Sequence, residues 1–310
     1  MKKITQSLLE SNFIPINLRS DIPLSRLTTY GIGGKPLGVI FVDNHTQYIK
    51  TLYSLSNKVP YRILGRGSNI LANDENLEFF IITAKYRLTK LFIVDDKIRV
   101  FITPFTDLQY FINFLINHGI GGYEDLAGIP ATVGGAVFNN AGTKNTEISD
   151  FLKIVSFFDR KKRTIRSIVV DKTFFSYRNS LFKEETLNGN PIDLVSFVFE
   201  FPRENLQSSD LLRQRYLKAW KKRIETQPIN QKSCGSVFKN LPSIPAWKVI
   251  SDLGYRGFTI GGAKVSEKHS NFIINFNNAK FSDVFQIIQK IKKDSHKAGI
   301  RLEEEVEIWK

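Results

Sequence analysis

Cysteine is nearly absent from this sequence: Cys234 is the single cysteine among 310 residues, beside one methionine and four histidines. One cysteine excludes an internal disulfide bond and is typical of a reducing compartment. The Cys and His spacing fits no zinc motif, so we expect no metal site. No run of about 18 apolar residues occurs, which argues against a membrane span. Residues 1–10 lack the apolar core of a signal peptide. We therefore expect a cytoplasmic protein without a membrane partner.

Two common nucleotide-binding patterns are also missing. Gly31, Gly33 and Gly34 come close to the dinucleotide fingerprint but lack its last glycine, and no Walker pattern occurs. The formal net charge of +14 steers anionic ligands toward the protein. Its Lys and Arg residues are spread along the chain without a zinc-finger or RNA-binding motif, so we expect no nucleic-acid partner.

Three glycine-rich segments stand out in the first half of the chain. They cover residues 28–34 (TTYGIGG), 64–71 (LGRGSNIL) and 121–142, the last including GIPATVGG at 128–135. Glycine permits positive φ and lets main-chain N–H groups approach an anion closely. Each segment alone is typical of an ordinary turn. Together they predict a long phosphate-bearing ligand such as a dinucleotide, held by a fold other than the Rossmann fold.

The hydrophobic pattern predicts an α+β chain. Short β-branched and aromatic runs predict strands over 39–42, 79–83, 98–103, 154–158, 165–170, 194–201, 272–276 and 305–309. Helical spacing predicts a helix over 106–118, with Thr106 as its N-cap and Gly119 at its end. A basic helix is predicted over 209–225, after a boundary near 202–209. A last helix is predicted over 282–297, where Val284, Ile287, Ile288 and Ile291 keep helical spacing.

Few polar residues carry an obvious chemical signal on their own. Ser236 lies in a GSVFKN segment, yet no nucleophile elbow surrounds it and the histidines show no triad spacing, so by itself it is a turn residue. Arg178 lies at a predicted strand end, where a surface salt bridge is the ordinary explanation. We expect Glu303, Glu304 and Glu307 to form a solvated face, and the SEKHSNF segment at 266–272 to form a turn that faces either a ligand or solvent.

Taken in order, however, these segments resemble one known family. The matching segments are 28–34, 65–69 (GRGSN), 128–135, 177–180 (YRNS), 235–240 (GSVFKN) and 302–306 (LEEEV). They are similar to those of the UDP-N-acetylenolpyruvoylglucosamine reductases, also called UDP-N-acetylmuramate dehydrogenases, over nearly the whole chain. The small number of residues between Arg178 and Ser236 indicates the shorter subclass, which lacks an inserted tyrosine-bearing loop.

The resemblance implies a fold and a set of ligands. The fold is the FAD-binding fold of the vanillyl-alcohol-oxidase type, with a FAD-binding domain over 1–204 (subdomains about 1–85 and 86–204) and a substrate-binding domain over 205–310. The ligands are non-covalent FAD, NADPH as reductant and a UDP-sugar substrate in peptidoglycan precursor synthesis. We expect a monomer.

The resemblance also implies roles for individual residues. Arg178, Ser236 and Glu305 match the catalytic arginine, the serine that protonates the substrate and the neighbouring glutamate. The predicted cofactor-binding residues are Tyr30, Gly31, Gly33, Gly65, Arg66, Gly67, Ser68, Asn69, Gly128, Ile129, Thr132, Gly134, Gly135, Asn139, Ala141 and Gly142. The predicted substrate-binding residues are Tyr177, Lys239, Asn240, Lys268 and His269. The chain departs from the family at Leu241, where proline is usual, and at Ala131, where glycine is usual.

Two other functions stay open at this point. A flavin oxidase or dehydrogenase of the same fold would act on a small alcohol, but such enzymes often tether the flavin through His or Cys, and the glycine segments contain neither. A non-enzymatic basic binding module would hold no flavin and would purify colourless.

Overall fold

The structure is a computed structural model that describes residues 17–56 and 58–310. The N-terminal segment 1–10, considered above for an export signal, lies outside the described residues. Within the described ranges no helix is long and apolar enough to cross a membrane. In the same ranges, no group of three or more His, Cys, Asp and Glu side chains is arranged to hold a metal ion.

Strands and helices alternate irregularly along the described chain. The strands are β1 (Asn17–Arg19), β2 (Pro36–Val42), β3 (Tyr61–Ile63), β4 (Ile70–Ala72), β5 (Leu77–Ala84), β6 (Thr89–Val94), β7 (Lys97–Ile102), β8 (Leu152–Asp159), β9 (Thr164–Val169), β10 (Phe175–Ser176), β11 (Asn179–Ser180), β12 (Ile192–Phe201), β13 (Thr259–Ile260), β14 (Ala263–Val265), β15 (Ile273–Asn275) and β16 (Glu307–Trp309). The α-helices are α1 (His45–Leu55), α2 (Leu108–Asn117), α3 (Val133–Phe138), α4 (Leu181–Leu187), α5 (Ser209–Thr226), α6 (Ala246–Asp252) and α7 (Phe281–Lys297). This mixture confirms the predicted α+β class.

The chain forms two compact units, each assembled from separate segments. The described part of the first consists of residues 17–19, Leu37–Gly65 and Phe79–Trp220. The second consists of Ser20–Pro36, Arg66–Glu78 and Lys221–Lys310. The second unit therefore includes two N-terminal glycine segments together with the C-terminal part of the chain. The functional division at 204/205 inferred from the sequence stays a prediction.

The first unit contains two main sheets, with strand orders β1-β2-β5-β3 and β6-β7-β12-β8-β9. Helix α2 packs its apolar face into the core of the larger sheet, and Phe111 meets Phe199 of β12 with ring centroids 4.9 Å apart. The predicted N-cap of this helix was wrong by one residue. Asp107 is the cap, because its carboxylate accepts hydrogen bonds from the N–H groups of Gln109 and Tyr110.

An ion pair joins the two sheets of the first unit. Asp193 on β12 is 2% exposed, and Arg160 after β8 donates to it from Nε (2.8 Å) and Nη2 (2.6 Å). Tyr61 on β3 donates its hydroxyl to the same carboxylate at 2.6 Å. The guanidinium carbon of Arg160 also lies 3.8 Å from the Tyr61 ring centroid. This buried charge is therefore fully paired.

The second unit is built on a three-stranded sheet, β13-β14-β15, and a parallel pair, β4-β16. Helix α7 covers its core with Val284, Ile287, Ile288 and Ile291, the four residues predicted from helical spacing. The closing strand is shorter than the predicted 305–309 and begins at Glu307, since the backbone of Glu305 and Val306 bonds to the carbonyl of Val237 instead.

Candidate active site

The N-terminus of helix α3 follows directly on the GIPAT segment of the first unit. Thr132 caps this helix by accepting a hydrogen bond from the N–H of Gly135 (3.2 Å). The N–H groups of Val133 and Gly134 donate to the carbonyls of Thr106 and Pro104, both at 2.8 Å. All three N–H groups are therefore bonded within the protein, and cofactor binding by this segment stays a prediction.

The two glycines of α3 have different surroundings. A Cβ on Gly134 would lie 2.7 Å from Cβ of Pro104 and 2.9 Å from its carbonyl oxygen, so the protein's own packing requires glycine there. Gly135 is exposed, and a Cβ on it would meet only Thr132 Oγ1, at 3.5 Å. The protein therefore has room for a side chain at Gly135. Gly65 is again restricted by packing, since its Cβ would lie 2.6 Å from Thr132 Oγ1.

Gln109 on helix α2 holds the loop that precedes α3. Its Oε1 accepts a hydrogen bond from the N–H of Gly128 (2.8 Å), and its Nε2 donates to the carbonyls of Leu126 (3.2 Å) and Ile129 (2.9 Å). Tyr216 adds a hydrogen bond to the same Oε1 at 3.1 Å. Gln109 was not predicted from the sequence. The same helix contains Asn113 and Asn117, so a polar residue type alone did not distinguish Gln109.

Arg178 lies in the turn between β10 and β11, in the left-handed region with φ +56°. Its Nη2 donates to the carbonyl of Gly142 at 2.7 Å, and its guanidinium carbon lies 4.9 Å from the Tyr177 ring centroid. Tyr177 is 43% exposed. The structure thus brings three predicted residues together: the catalytic arginine, a substrate-binding tyrosine and a cofactor-binding glycine.

A buried amide ties this hairpin to the loop after α3. Asn140 is 0% exposed, and its Nδ2 donates to the carbonyl of Ser176 (3.0 Å) and to Oε2 of Glu147 (2.8 Å). Beside it, Lys183 Nζ donates to Oδ1 of Asn139 at 2.9 Å. Ala141, also predicted to bind cofactor, accepts a hydrogen bond at its carbonyl from the N–H of Ile148 (2.9 Å). Asn140 and Lys183 were not predicted from the sequence.

The GRGSN turn belongs to the second unit from Arg66 onward. Gly67 has φ +62°, and a Cβ there would lie 2.5 Å from the carbonyl oxygen of Leu27. No described residue of this unit accepts a hydrogen bond from the N–H of Gly67 or Ser68. Two adjacent backbone donors in a glycine turn suit a diphosphate group. This turn, rather than α3, offers the free donors.

The TTYGIGG segment packs against that turn. The N–H of Thr29 donates to the carbonyl of Gly67 at 3.1 Å. Gly31 (φ +67°) and Gly33 (φ +131°) adopt conformations that favour glycine, and a Cβ on Gly33 would lie 2.8 Å from Cβ of Leu24. The side chain of Tyr30 is 0% exposed in the core of the unit. Cofactor binding by Tyr30 stays a prediction, and its buried side chain is first of all a core residue.

Ser236 is connected to Glu305 through the backbone of Val237, the residue that follows Ser236. The carbonyl of Val237 accepts hydrogen bonds from the N–H groups of Glu305 (2.8 Å) and Val306 (3.3 Å). Asn69 closes the group, since its Nδ2 donates to the carbonyl of Glu305 at 3.1 Å. Ser236 and Glu305 are both half-buried. The second unit therefore places the predicted proton donor, the predicted glutamate and the end of the GRGSN turn side by side.

Cys234 is a buried thiol close to this group. Its exposed fraction is 2%, and burial raises its pKa to about 12, with the charge of Glu305 acting in the same direction. Near neutral pH it is therefore protonated and not a nucleophile.

The acidic C-terminal run is only partly the solvated face that was expected. Glu303 is exposed and lies 3.7 Å from Nζ of Lys239. Glu304 is different, because Lys292 Nζ donates to both of its carboxylate oxygens (2.6 and 2.7 Å). The carboxylate of Glu307 accepts from Nε1 of Trp309 (2.8 Å). The expectation was wrong for Glu304 and Glu307.

The remaining predicted substrate residues lie around the same segment. Asn240 accepts a hydrogen bond from the N–H of Ala246 (3.0 Å), and Lys268 donates to the carbonyl of Ile224. His269 packs edge-on against Phe272, with ring centroids 4.9 Å apart. Burial lowers the pKa of His269, and its Nδ1 is buried with no hydrogen-bond partner among the described residues. A neutral imidazole with one unused ring nitrogen suits a polar ligand group.

Comparison with known proteins gives agreement over both halves of the chain. A family model described as "FAD binding domain" matches residues 36–166. Another, described as "UDP-N-acetylenolpyruvoylglucosamine reductase, C-terminal domain", matches residues 227–309.

Individual relatives extend this agreement to nearly full length. The UDP-N-acetylenolpyruvoylglucosamine reductase of Thermotoga petrophila is 35% identical over 92% of this chain and 96% of its own. That of Chlamydia muridarum is 33% identical over 96% of each chain. The crystal structure of the Thermus caldophilus reductase aligns with a TM-score of 0.77 at 27% identity, covering 96% of this chain and all of its own. The chain therefore belongs to the UDP-N-acetylenolpyruvoylglucosamine reductase family and has the FAD-binding fold of the vanillyl-alcohol-oxidase type that its sequence predicted.

Proposed function

We propose that the protein reduces UDP-N-acetylglucosamine enolpyruvate to UDP-N-acetylmuramate, with FAD as cofactor and NADPH as reductant, in peptidoglycan precursor synthesis. The observation that carries this proposal is the identity of 33–35% to reductases of this name over more than nine-tenths of the chain. An alcohol oxidase of the same fold is not favoured, because the C-terminal family match covers the region that contains Ser236 and Glu305.

The residues present fit a flavin dinucleotide. The free N–H groups of Gly67 and Ser68 suit its diphosphate, and exposed Gly135 leaves backbone open to a ligand. FAD, when bound, would accept a hydride from NADPH and, as reduced flavin, would supply that hydride to the alkene. Gln109 and Asn140 keep the loops on either side of α3 in place.

The chain's own residues handle the charge and the proton. Hydride addition to the terminal alkene carbon leaves negative charge on the carbon that bears the carboxylate. Arg178 holds that carboxylate, and one well-placed donor of this kind contributes about 10²–10³ in rate. Ser236 donates its hydroxyl proton to the same carbon, which is basic enough to accept it from a weak acid. Glu305 orients Ser236 or stabilises the charge.

Substrate recognition is proposed for the polar residues around these groups. Tyr177, Lys239, Asn240, Lys268 and His269 bind the nucleotide sugar. The positive net charge favours this anionic ligand. We further propose that the protein works in the cytoplasm as a monomer, without a nucleic-acid or membrane partner.

The experiment is turnover with the purified protein. The preparation should be yellow, acid should release the flavin into the supernatant, and NADPH should be consumed when the enolpyruvyl UDP-sugar is added. UDP-N-acetylglucosamine, which lacks the enolpyruvyl group, is the matched control and should give no turnover. A yellow protein that oxidises small alcohols and ignores the UDP-sugar would contradict the proposal.

A further inference from the structure

Asn271, just before β15, binds both the N–H and the carbonyl of one residue, Phe238, with its side-chain amide. It is 2% exposed. Its Oδ1 accepts the N–H of Phe238 at 2.9 Å, and its Nδ2 donates to the carbonyl of the same residue at 2.8 Å. Phe238 lies two residues after Ser236, and the Asn271 side chain thus satisfies both of its main-chain polar groups. Because buried polar groups must be paired, this arrangement fixes the position of Phe238 strongly.

The backbone of Asn271 extends the same contact toward Ser236. Its carbonyl accepts the N–H of Val237 at 2.9 Å. On the opposite side, the carbonyl of Val237 accepts from Glu305, and the N–H of Lys239 donates to the carbonyl of Glu303 (2.9 Å). The segment 237–239 therefore lies between Asn271 and the glutamate run. Any shift of Asn271 changes where Ser236 lies relative to Glu305.

We propose that Asn271 is a positioning residue for proton donation by Ser236, an inference that rests on the function proposed above. The amide is required because it presents one donor and one acceptor to the two ends of one residue's backbone. A carboxylate offers acceptors only, and an alkyl group offers neither. Misplacement of about 1 Å at a reacting group can reduce the rate about 10²-fold.

The test compares Asn271→Asp with Asn271→Leu in the flavin-loaded protein. Stopped-flow absorbance measures flavin reduction by NADPH and flavin reoxidation by the enolpyruvyl UDP-sugar separately. We expect both variants to keep the reductive rate and lose about 10²-fold in reoxidation, with little change in substrate affinity.

The pH profile of Asn271→Asp gives a readout that general destabilisation does not reproduce. Protonated, the aspartic acid again has one donor and one acceptor in the place of the amide. Reoxidation by Asn271→Asp should therefore recover relative to wild type as pH falls, whereas Asn271→Leu should show no recovery. The titratable and charged groups nearby, His269, Lys239, Glu303 and Glu305, are present in all three proteins, so the ratio to wild type removes their contribution.

Ile288→Ala is the control for stability. Ile288 is 0% exposed on α7 in the same core, so its truncation lowers Tm, and because its side chain is apolar the change removes no hydrogen bond to residues 237–239. It should leave both half-reactions near wild type when measured well below its Tm. Hydrogen exchange at residues 237–239 should quicken in the Asn271 variants and stay slow in this control.

Three results would overturn the proposal: equal loss in both half-reactions, unchanged reoxidation in Asn271→Asp at neutral pH, or recovery at low pH in Asn271→Leu as well. If Asn271→Leu does not fold, Asn271→Asp alone decides, because it keeps the shape of the amide. Wild-type protein that cannot reoxidise its flavin with the enolpyruvyl UDP-sugar would instead reject the proposed function itself.

Discussion

The guanidinium of Arg178 donates from Nη2 to the main-chain carbonyl of Gly142, 36 residues earlier, at 2.7 Å. This hydrogen bond fixes the orientation of the arginine against the glycine-rich loop. The left-handed backbone of Arg178 is favoured only where surrounding structure holds it, and Asn140 does so by binding the carbonyl of Ser176. The hairpin and the loop therefore act as one element that presents a cation.

Replacing Arg178 by lysine should separate charge from geometry. Lysine keeps the charge but lacks the planar set of N–H donors with which a guanidinium can bind the Gly142 carbonyl and a substrate carboxylate at the same time. We expect flavin reoxidation by the enolpyruvyl UDP-sugar to fall about 10²–10³-fold, with flavin content and NADPH reduction unchanged. Arg166→Lys, at an exposed position on β9, is the matched control and should be near neutral. Equal loss in both variants would remove Arg178 from its proposed role.

Gly135→Ala and Gly134→Ala should change different properties of the protein: the first its flavin content, the second its thermal stability. The protein has room for a methyl at exposed Gly135, and alanine is about 1 kcal/mol better than glycine within a helix, so stability should hold or rise. Flavin content should drop if FAD approaches this backbone. In Gly134→Ala the new Cβ would lie 2.7 Å from Cβ of Pro104, so this variant should have a lower Tm whether or not flavin is bound. Flavin absorbance per protein and thermal melting of the apoprotein measure the two effects, and full flavin retention in Gly135→Ala would move the cofactor elsewhere.

Ser236→Ala and Glu305→Gln should slow the same half-reaction. Loss of a general acid typically costs about 10²–10⁴ in rate. Flavin reduction by NADPH should be unaffected, and the double variant should lose little more than either single, because residues acting as a unit are not additive. Exposed Glu225→Gln is the control. Glu304→Gln is unsuitable for that purpose, since it breaks the pair with Lys292. Multiplicative losses in the double variant would mean that the two groups act independently.

Cys234 should resist alkylation in the folded protein. With its pKa raised to about 12 by burial, only about one thiol in 10⁴ is ionised near pH 8. Iodoacetamide should therefore label it only after unfolding, and the labelling rate should rise with denaturant in step with loss of structure. Rapid stoichiometric labelling of the native protein would show that this part of the second unit opens readily.

Asp193→Ala should be strongly destabilising. It leaves Arg160 buried without its carboxylate, a change that typically costs about 3–5 kcal/mol. Asp252→Ala removes an exposed pair with Lys248 and should cost no more than about 1 kcal/mol. Urea unfolding of both variants measures the difference. Similar midpoints would mean that the Asp193 pair is solvated in solution.

Local features of this protein could be predicted from its sequence. The spacing of Val284, Ile287 and Ile291 predicted α7 because periodicity is written in neighbouring residues. At the start of α2, both Thr106 and Asp107 are acceptable caps, and only the fold shows that Thr106 is buried against Thr103 while Asp107 is placed to cap. The candidate site residues were predicted from the segments that resemble those of the family.

The contacts that hold the site were not predictable, because their partners are far apart in the chain. Asn271 binds Phe238 from 33 residues away, and Gln109 binds Gly128 from 19. Neither side chain carries a local signal for its partner. Likewise, Glu304 pairs with Lys292 only because α7 packs beside the C-terminal segment. The sequence alone therefore predicted a solvent-exposed Glu304.

The second unit draws on three stretches of chain, and this governs when it can form during synthesis. Asn69 and Glu305 are 236 residues apart, yet they meet, and β16 is the only strand that pairs with β4 among the described residues. On the ribosome, β4 emerges early and stays an open edge until β16 is made, so the site around Ser236 is among the last parts to become ordered. A C-terminal fragment made alone would have the opposite deficiency: its final strand would have no partner edge and would be prone to pair with another copy.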